Sequence, residues 1–319
     1  MNSETFDIIY NKWINKEKTG KPFWKDLAIE LNYKDGEYLR SDFKHERSRR
    51  GLLLNKKELL YDNDNFPKIC VFDIEFAPMQ VYTFGLWDQN ITPDKIITDG
   101  YVLCWSAKML NDPKIELDVI EPFLSKDGDD YDVIQHIHQY LDKCQIVIGH
   151  NIKEYDLKTL NTRFLYYGFY PLSQFQVIDT LTVAKNNFRF PSNSLKYINK
   201  FLDIKQKDET EGFQLWKNCT QGDEESLSKL GKYCKNDVLA TEELYYKFRP
   251  YIKTHPNMGL YFETTEPICK NCGSKNLMSN GFYYTNVSKY ESVRCGSCGA
   301  LGRKKDNLVS KEQRKALVR

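Results

Sequence analysis

Two carboxylates spaced two apart, Asp73 and Glu75 in Val71-Phe72-Asp73-Ile74-Glu75, follow the apolar run Ile69 to Phe72. On a strand, residues i and i+2 point to one face. Two negative charges held side by side repel unless a cation sits between them, and a hard divalent ion such as Mg²⁺ or Mn²⁺ prefers oxygen ligands. Taken alone, the pair equally describes acids at a strand end that simply face water. Two further acidic stretches lie downstream. In Gly149-His150-Asn151-Ile152-Lys153-Glu154-Tyr155-Asp156, the apolar strand Ile146-Val147-Ile148 has just ended and Asp156 falls in the first turn of a helix. In Tyr233-Cys234-Lys235-Asn236-Asp237, inside a long helical stretch, Tyr233 and Asp237 are four apart and share a face. Each stretch by itself has an ordinary structural explanation.

A second chemistry is that of thiols. Cys269-Lys270-Asn271-Cys272 and Cys295-Gly296-Ser297-Cys298 are two Cys-x2-Cys knuckles separated by 22 residues, and a glycine follows each, Gly273 and Gly299. Glycine permits the tight turn that aims backbone N–H groups at sulfur. Gly281 to Thr285 and Tyr290 to Arg294 read as a hairpin between the knuckles. The pattern resembles a zinc ribbon with closed, structural Cys₄ coordination of one Zn²⁺. Disulfides are the rival, which a reducing setting disfavours. Lys289, Arg294, Arg303, Lys304 and Lys305 give this module a grip for nucleic acid.

The elements that must position these groups follow from periodicity. Residues 68–74, 81–87, 101–108, 145–149 and 175–179 read as strands, the second and third forming a meander after the first. Residues 130–142, 154–167, 194–202 and 226–248 read as helices. The expectation is an α/β unit over 67–258 with a mixed sheet and flanking helices. In front of it, residues 1–60 read as helical. Phe6, Ile9, Tyr10 and Trp13 form one stripe; Phe23, Leu27, Ala28 and Leu31 form the next; Leu39 and Phe43 face inward from a third helix. That helix carries Arg40, Lys44, His45, Arg47, Arg49 and Arg50 outward, and the trio resembles a helix-turn-helix module that contacts DNA. A docking domain with a solvated basic face is the alternative. Leu52 to Phe66 reads as a linker, 264–302 as the ribbon and 303–319 as a basic tail.

Composition bounds the rest. Of 319 residues, 28% are charged and 41% hydrophobic, ordinary for globular protein, and no stretch has the length of a membrane span. The N-terminus lacks the basic-then-apolar pattern of a secretory signal, so the expectation is a reducing cytoplasm, that of a host cell if the chain is phage-encoded. Cys70, Cys104, Cys144, Cys219 and Cys234 are scattered and read as small buried hydrophobes. Residues 1–61 carry 13 Lys+Arg against 10 Asp+Glu and residues 264–319 carry 11 against 4, which leaves the middle at −8 in a chain of net +2. An acidic, metal-binding centre between basic ends fits a polyanionic partner.

Taken together, Asp-x-Glu on the first strand, Asn-x4-Asp after a later strand and Tyr-x3-Asp on a late helix resemble the DEDD 3′–5′ exonucleases of the DnaQ-like group, which have a ribonuclease H-like fold. The resemblance spans about residues 67–250. It is to the tyrosine subclass, since the histidine subclass would place His where this chain has Lys232. Asp179-Thr180, Ser194-Leu195 and the connection 212–223 also look like this family, and with the zinc module they are similar to exonucleases encoded by bacteriophages. The resemblance implies a two-metal phosphodiester hydrolase using Mg²⁺ or Mn²⁺. Asp73 would bridge the metals, Glu75 and Asp237 would hold the one that activates water, and Asp156 would help hold the other. Tyr233, protonated at neutral pH, would orient the attacking water. Asn151 would contact the terminal nucleotide, and Phe84 and Trp87 are candidates for stacking on a base or for packing. His150 reads as structural, and Asp179 as a cap in preference to a ligand. The substrate expectation is DNA with single-stranded 3′ ends; the alternatives are a 3′–5′ exoribonuclease and a catalytically weak nucleic-acid-binding adaptor. Proofreading would operate in trans, with a polymerase or replication protein as partner.

Overall fold

The apolar run that precedes the first acids becomes the middle strand of a five-stranded sheet. The computed structural model describes residues 2–14, 21–49, 66–204 and 212–318. By its contacts the chain divides into two compact units, Phe66–Pro256 and Met1–Asn65 together with Asn257–Arg319.

In the first unit β1 (Ile69–Phe76) is followed by two short strands, β2 (Gln80–Val81) and β3 (Ile96–Thr98), that pair with each other. Next come β4 (Val102–Met109), β5 (Ile115–Val119), β6 (Ile146–Gly149) and β7 (Gln176–Asp179). The main sheet has the order β5-β4-β1-β6-β7. β4 runs antiparallel to β1 and β5, whereas β6 runs parallel to β1 and β7. Alternation along β1 and β4 sorts side chains between two faces. Trp105 on β4 bonds through its indole to the Val133 carbonyl and meets the ring of Tyr140, so its face lies under the helix Tyr131–Leu141. Lys108 pairs with Glu242 at 2.6 Å, so the opposite face lies under the long helix Glu224–Phe248. Asp73 is registered opposite Ser106 and Glu75 opposite Cys104, which puts both acids on the face of that long helix.

Seven α-helices complete this unit among the described residues: Pro122–Asp127, Tyr131–Leu141, Asp156–Tyr167, Thr180–Asn187, Leu195–Phe201, Phe213–Thr220 and Glu224–Phe248. With the N-terminal helices Ser3–Ile14, Lys21–Glu30 and Gly36–Arg49 counted first as α1 to α3, these are α4 to α10. Caps mark several starts. Ser194 accepts from Tyr197 N–H at α8, and Asp223 accepts from Ser226 N–H at α10. The continuous core includes Phe72, Leu103, Ile134, Ile137, Val147, Leu160 and Leu230. No described helix is long and apolar enough to cross a membrane.

Two expectations about this unit are corrected. Residues 81–87 do not form a strand of the main sheet. Pairing stops at Val81, and the segment beyond it is a loop in which Tyr82, Phe84, Leu86 and Trp87 are exposed. Aromatic residues favour strands only where a partner strand and a buried face are on offer. The meander is instead β1–β4–β5, and β5, whose Ile115-Glu-Leu-Asp-Val alternates apolar and acidic, went unread.

In the other unit, α1, α2 and α3 enclose Phe6, Ile9, Trp24, Leu27, Ala28, Leu39 and Phe43, with Phe6 stacked on Phe43. Trp24 lies on the inner face of α2; the side chains of Trp13 and Phe23 lie outside the described residues. The expected linker falls almost wholly on residues 50–65, also outside them. Toward the C-terminus, β8 (Leu277–Thr285), β9 (Ser288–Cys295) and β10 (Leu301–Asn307) form an antiparallel sheet of order β10-β9-β8. The basic run Arg303-Lys304-Lys305 therefore belongs to an edge strand, and not to a tail that starts at residue 303. Charged edge strands discourage further pairing, which is why the run reads as tail when met in sequence. A short helix α11 (Lys311–Lys315) follows, opened by a Ser310/Gln313 capping box.

Candidate active site

Four acids converge from three elements of the first unit. β1 brings Asp73 and Glu75, the start of α6 brings Asp156, and α10 brings Asp237 one turn after Tyr233. One oxygen from each of Asp73, Glu75 and Asp237 lies within 4.8 Å of the others. Asp156 is tied to β1 directly, its Oδ1 accepting from Ile74 N–H at 3.3 Å. Beneath the acids, the Cys234 thiol donates to the Asp73 carbonyl at 3.5 Å.

This cluster is costly without a cation. Burial first, then the charges of Asp156, Glu75 and Asp237, push the Asp73 carboxyl well above its ordinary range. Burial and Asp237 raise Glu75 to about 8. Burial raises Asp156 to about 7 and Asp237 to about 6. Burial, followed by the neighbouring Asp237 and Glu75, lifts the Tyr233 phenol above its usual value, so it stays protonated and shares a hydrogen bond with Asp237. Closely set oxygens that resist ionisation are the donor set a hard divalent ion would satisfy.

The turn that delivers Asp156 is pinned by Asp179. This carboxylate accepts from four backbone N–H groups: Asn151 at 3.1 Å, Lys153 at 3.2 Å, Leu181 at 2.9 Å and Thr182 at 3.2 Å. It caps α7 and fixes the 150–153 turn together, which leaves it little capacity for a metal. At Gly149 a Cβ would sit 2.0 Å from Ile152 Cγ2 and 3.0 Å from the Phe72 carbonyl, so only glycine permits the close approach of this turn to β1. Asn151 adopts a left-handed conformation, φ 70°, which gives asparagine a backbone reason to be there. His150 Nε2 donates to the Asn193 carbonyl at 3.0 Å, and its Nδ1 lies 2.9 Å from Thr180 Oγ1, an interior brace.

Sequence reasoning placed Trp216 only within the family-like connection 212–223 and gave it no role. Its indole N–H donates to Glu75 Oε2 at 3.2 Å, and its ring meets Tyr233 edge-on at 6.1 Å between centroids. The available signal was a lone tryptophan on the short amphipathic helix α9, just before the helix that carries Tyr233 and Asp237. Other expected contacts are dispersed. Phe84 and Trp87 project into solvent from the loop after β2, which excludes the packing alternative for both. Arg40 is exposed on α3. The side chains of Lys44, Arg47 and Arg49, and all of Arg50, lie outside the described residues.

The thiols form the second cluster. Cys269, Cys272, Cys295 and Cys298 converge, with Sγ–Sγ distances of 3.5 Å for 269–298 and 3.6 Å for 272–295. A tetrahedral zinc with bonds of about 2.3 Å sets its sulfurs about 3.8 Å apart, so the cluster fits that ion closely. Each knuckle closes alike: Gly273 N–H donates to Cys269 O and Gly299 N–H to Cys295 O, both glycines with φ near 75°.

The family model described as the RNase_H superfamily matches residues 70–249, more than half of the chain. Among solved structures, the family B DNA polymerase from the hyperthermophilic archaeon Pyrobaculum calidifontis is similar at 16% identity and a TM-score of 0.43; the match covers 58% of this chain and 25% of the polymerase. The match thus spans about a quarter of the polymerase chain. Comparison with curated proteins gives no match.

Proposed function

We propose, from the premise that the chain belongs to the RNase H superfamily, that it is a metal-dependent 3′–5′ exonuclease of the DEDD tyrosine subclass. The observation that carries this reading is the convergence of Asp73, Glu75 and Asp237 from β1 and α10, with Asp156 bonded across to β1. Two divalent ions, when bound, would supply the positive charge that offsets the phosphate and the leaving oxygen and would make water a nucleophile at neutral pH. Asp73, Glu75, Asp156 and Asp237 are the residues that would hold them. Tyr233 keeps its proton, so its hydroxyl donates and positions the attacking water without acting as the main base. Asn151 and the exposed Phe84 and Trp87 are assigned to the substrate strand, the two rings as stacking surfaces. The ribbon cysteines would hold one structural zinc. The helical module, through Arg40, Lys44, Arg47, Arg49 and Arg50, would tether the phosphate backbone of DNA.

End-labelled single- and double-stranded DNA and RNA, incubated with Mg²⁺, Mn²⁺ or EDTA, test the reading. The expected result is stepwise shortening from the 3′ end that EDTA abolishes, with DNA preferred over RNA. Endonucleolytic products, or trimming that EDTA leaves intact, would refute it. Tyr233→Phe is expected to be slow but active.

A further inference from the structure

The ribbon sheet wears its aromatic residues on the outside. From Met278 to Thr285 every residue of β8 is exposed, including Phe282, Tyr283 and Tyr284, and the small core here consists of the four cysteines, Ala300 and Leu277. Rings that contribute nothing to a core are free to serve a surface.

The two faces of the sheet differ. A register shift between Ser279 and Phe282 resets the alternation, after which Tyr283 pairs with Tyr290, Phe282 with Glu291 and Tyr284 with Lys289. One face therefore holds Phe282, Tyr284, Lys289 and Glu291. There Lys304 pairs with Glu291 at 2.8 Å, and the Lys289 ammonium sits 3.8 Å from the Phe282 ring centroid. The other face holds Tyr283 and Tyr290 side by side, with the Arg303 guanidinium 3.9 Å from the Tyr290 centroid and 5.2 Å from that of Tyr283. Arg294 extends this face along β9, and Arg314 of α11 is close enough to act on the Tyr290 phenol, with Glu312 beside it. Among the described residues no carboxylate pairs with Arg294 or Arg303. Tyr283 remains 49% exposed.

We propose that the Tyr283–Tyr290–Arg303 face of the ribbon is a stacking platform for single-stranded nucleic acid. The Tyr283 and Tyr290 rings offer stacking surface that every base can use, and the Arg303 guanidinium over them supplies positive charge for a linking phosphate. The occupant is argued from charge: the segment 264–319 carries 11 Lys+Arg against 4 Asp+Glu, and among the described residues neither Arg294 nor Arg303 of this face forms an ion pair. The ligand class rests on the nuclease reading; the platform itself rests on the sheet.

Fluorescence anisotropy of labelled oligo-dT and oligo-rU with the full-length, zinc-replete protein in buffer without Mg²⁺ or Mn²⁺ tests it. Tyr283→Ala with Tyr290→Ala should weaken binding about tenfold or more, as expected for lost base stacks. Tyr283→Phe with Tyr290→Phe should bind like the parent protein, because the ring faces survive. Arg303→Ala should flatten the slope of log K against log salt by about 0.7 for the one phosphate it contacts. Phe282→Ala with Tyr284→Ala, on the opposite face, should leave binding unchanged. Parent-like binding by the alanine pair with zinc retained, or an equal loss from the opposite-face pair, overturns the proposal. So does a parent protein that trims 3′ ends in Mg²⁺ but binds neither oligomer, which leaves the nuclease reading standing. A protein that binds both oligomers and trims nothing sinks the nuclease reading and leaves the platform.

Discussion

The acidic cluster and the thiol cluster are both sets of four candidate ligands, yet they are built in opposite ways. The acids come from β1, α6 and α10, brought together over 164 positions of chain from Asp73 to Asp237 by a sheet and a core that includes Phe72, Val147 and Leu230. The thiols come from two local knuckles of four residues each, and the core around them is little more than the sulfurs themselves. Packing holds the acids together against their own repulsion, so that site would precede any ion it binds. The cysteine module lacks such packing, so an ion held by its four thiols would supply folding energy. On the proposed reading, the acidic site would be an outcome of a fold, whereas the thiol site would be a cause of one.

The sharpest way to break this contrast is Asp73→Asn. It removes a proposed ligand and a repelled charge at once, so cleavage should fall by at least about a hundredfold in Mg²⁺ while the metal-free protein melts no lower than the parent. A thermal melt beside the trimming assay decides it. Near-normal activity would remove Asp73 from the metal site, and a collapse in melting temperature would mean that packing does not hold the acids as argued. Cys295→Ser is the mirror experiment. It should release the zinc, about one per chain by elemental analysis, and strip hydrogen-exchange protection from β8, β9 and β10. Protection in 66–256 should persist. Retained zinc, or loss of protection throughout, contradicts the division.

A smaller effect distinguishes the sites by pH. Free carboxyls ionise near 4, whereas Glu75, Asp156 and Asp237 in the folded, ion-free protein are pushed to about 8, about 7 and about 6. Between pH about 4 and about 8 the folded state therefore holds more protons than the unfolded chain, and stability falls as pH rises through that window. Metal-free protein should melt lower at pH 8 than at pH 5, and Mn²⁺ should recover the difference at pH 8 but not at pH 5, where protons compete for the oxygens. A melting temperature that climbs from pH 5 to pH 8 without metal would show that the acids are not destabilising.

What could be read from the sequence tracks the same contrast. The knuckles were legible because their geometry is local: two cysteines, two spacers and a glycine specify each turn. The acids were legible as motifs, since each sits on an element with a clear period, β1 at two and α10 at 3.6. Their meeting is non-local, and single stretches could not display it. The loop after Val81 was misread because Tyr82, Phe84 and Trp87 have strand propensity, and propensity carries no information about whether a partner strand exists. Strand β5 was missed for the complementary reason: Glu116 and Asp118 dilute a short alternation whose meaning comes from pairing with β4.

Trp216 was missed because its role depends on two distant residues, and it gives the finest test of the site. Its indole N–H donates to Glu75 Oε2, and that bond lowers the Glu75 pKa against the stronger upward push of burial and Asp237. Trp216→Phe keeps a ring near Tyr233 but removes the donor. Glu75 should then hold its proton to higher pH, so a metal ion has to displace that proton over a wider range. Activity at neutral pH should fall about tenfold, the size of effect usual for a partner that orients a metal ligand. The acid limb of the pH–rate profile should move upward, and raising Mn²⁺ should restore part of the rate. Trp216→Ala, which also removes the ring beside Tyr233, should be slower still without moving the acid limb further. If Trp216→Phe loses rate with an unshifted limb, the indole serves packing alone, and Glu75 is oriented by the strand that carries it.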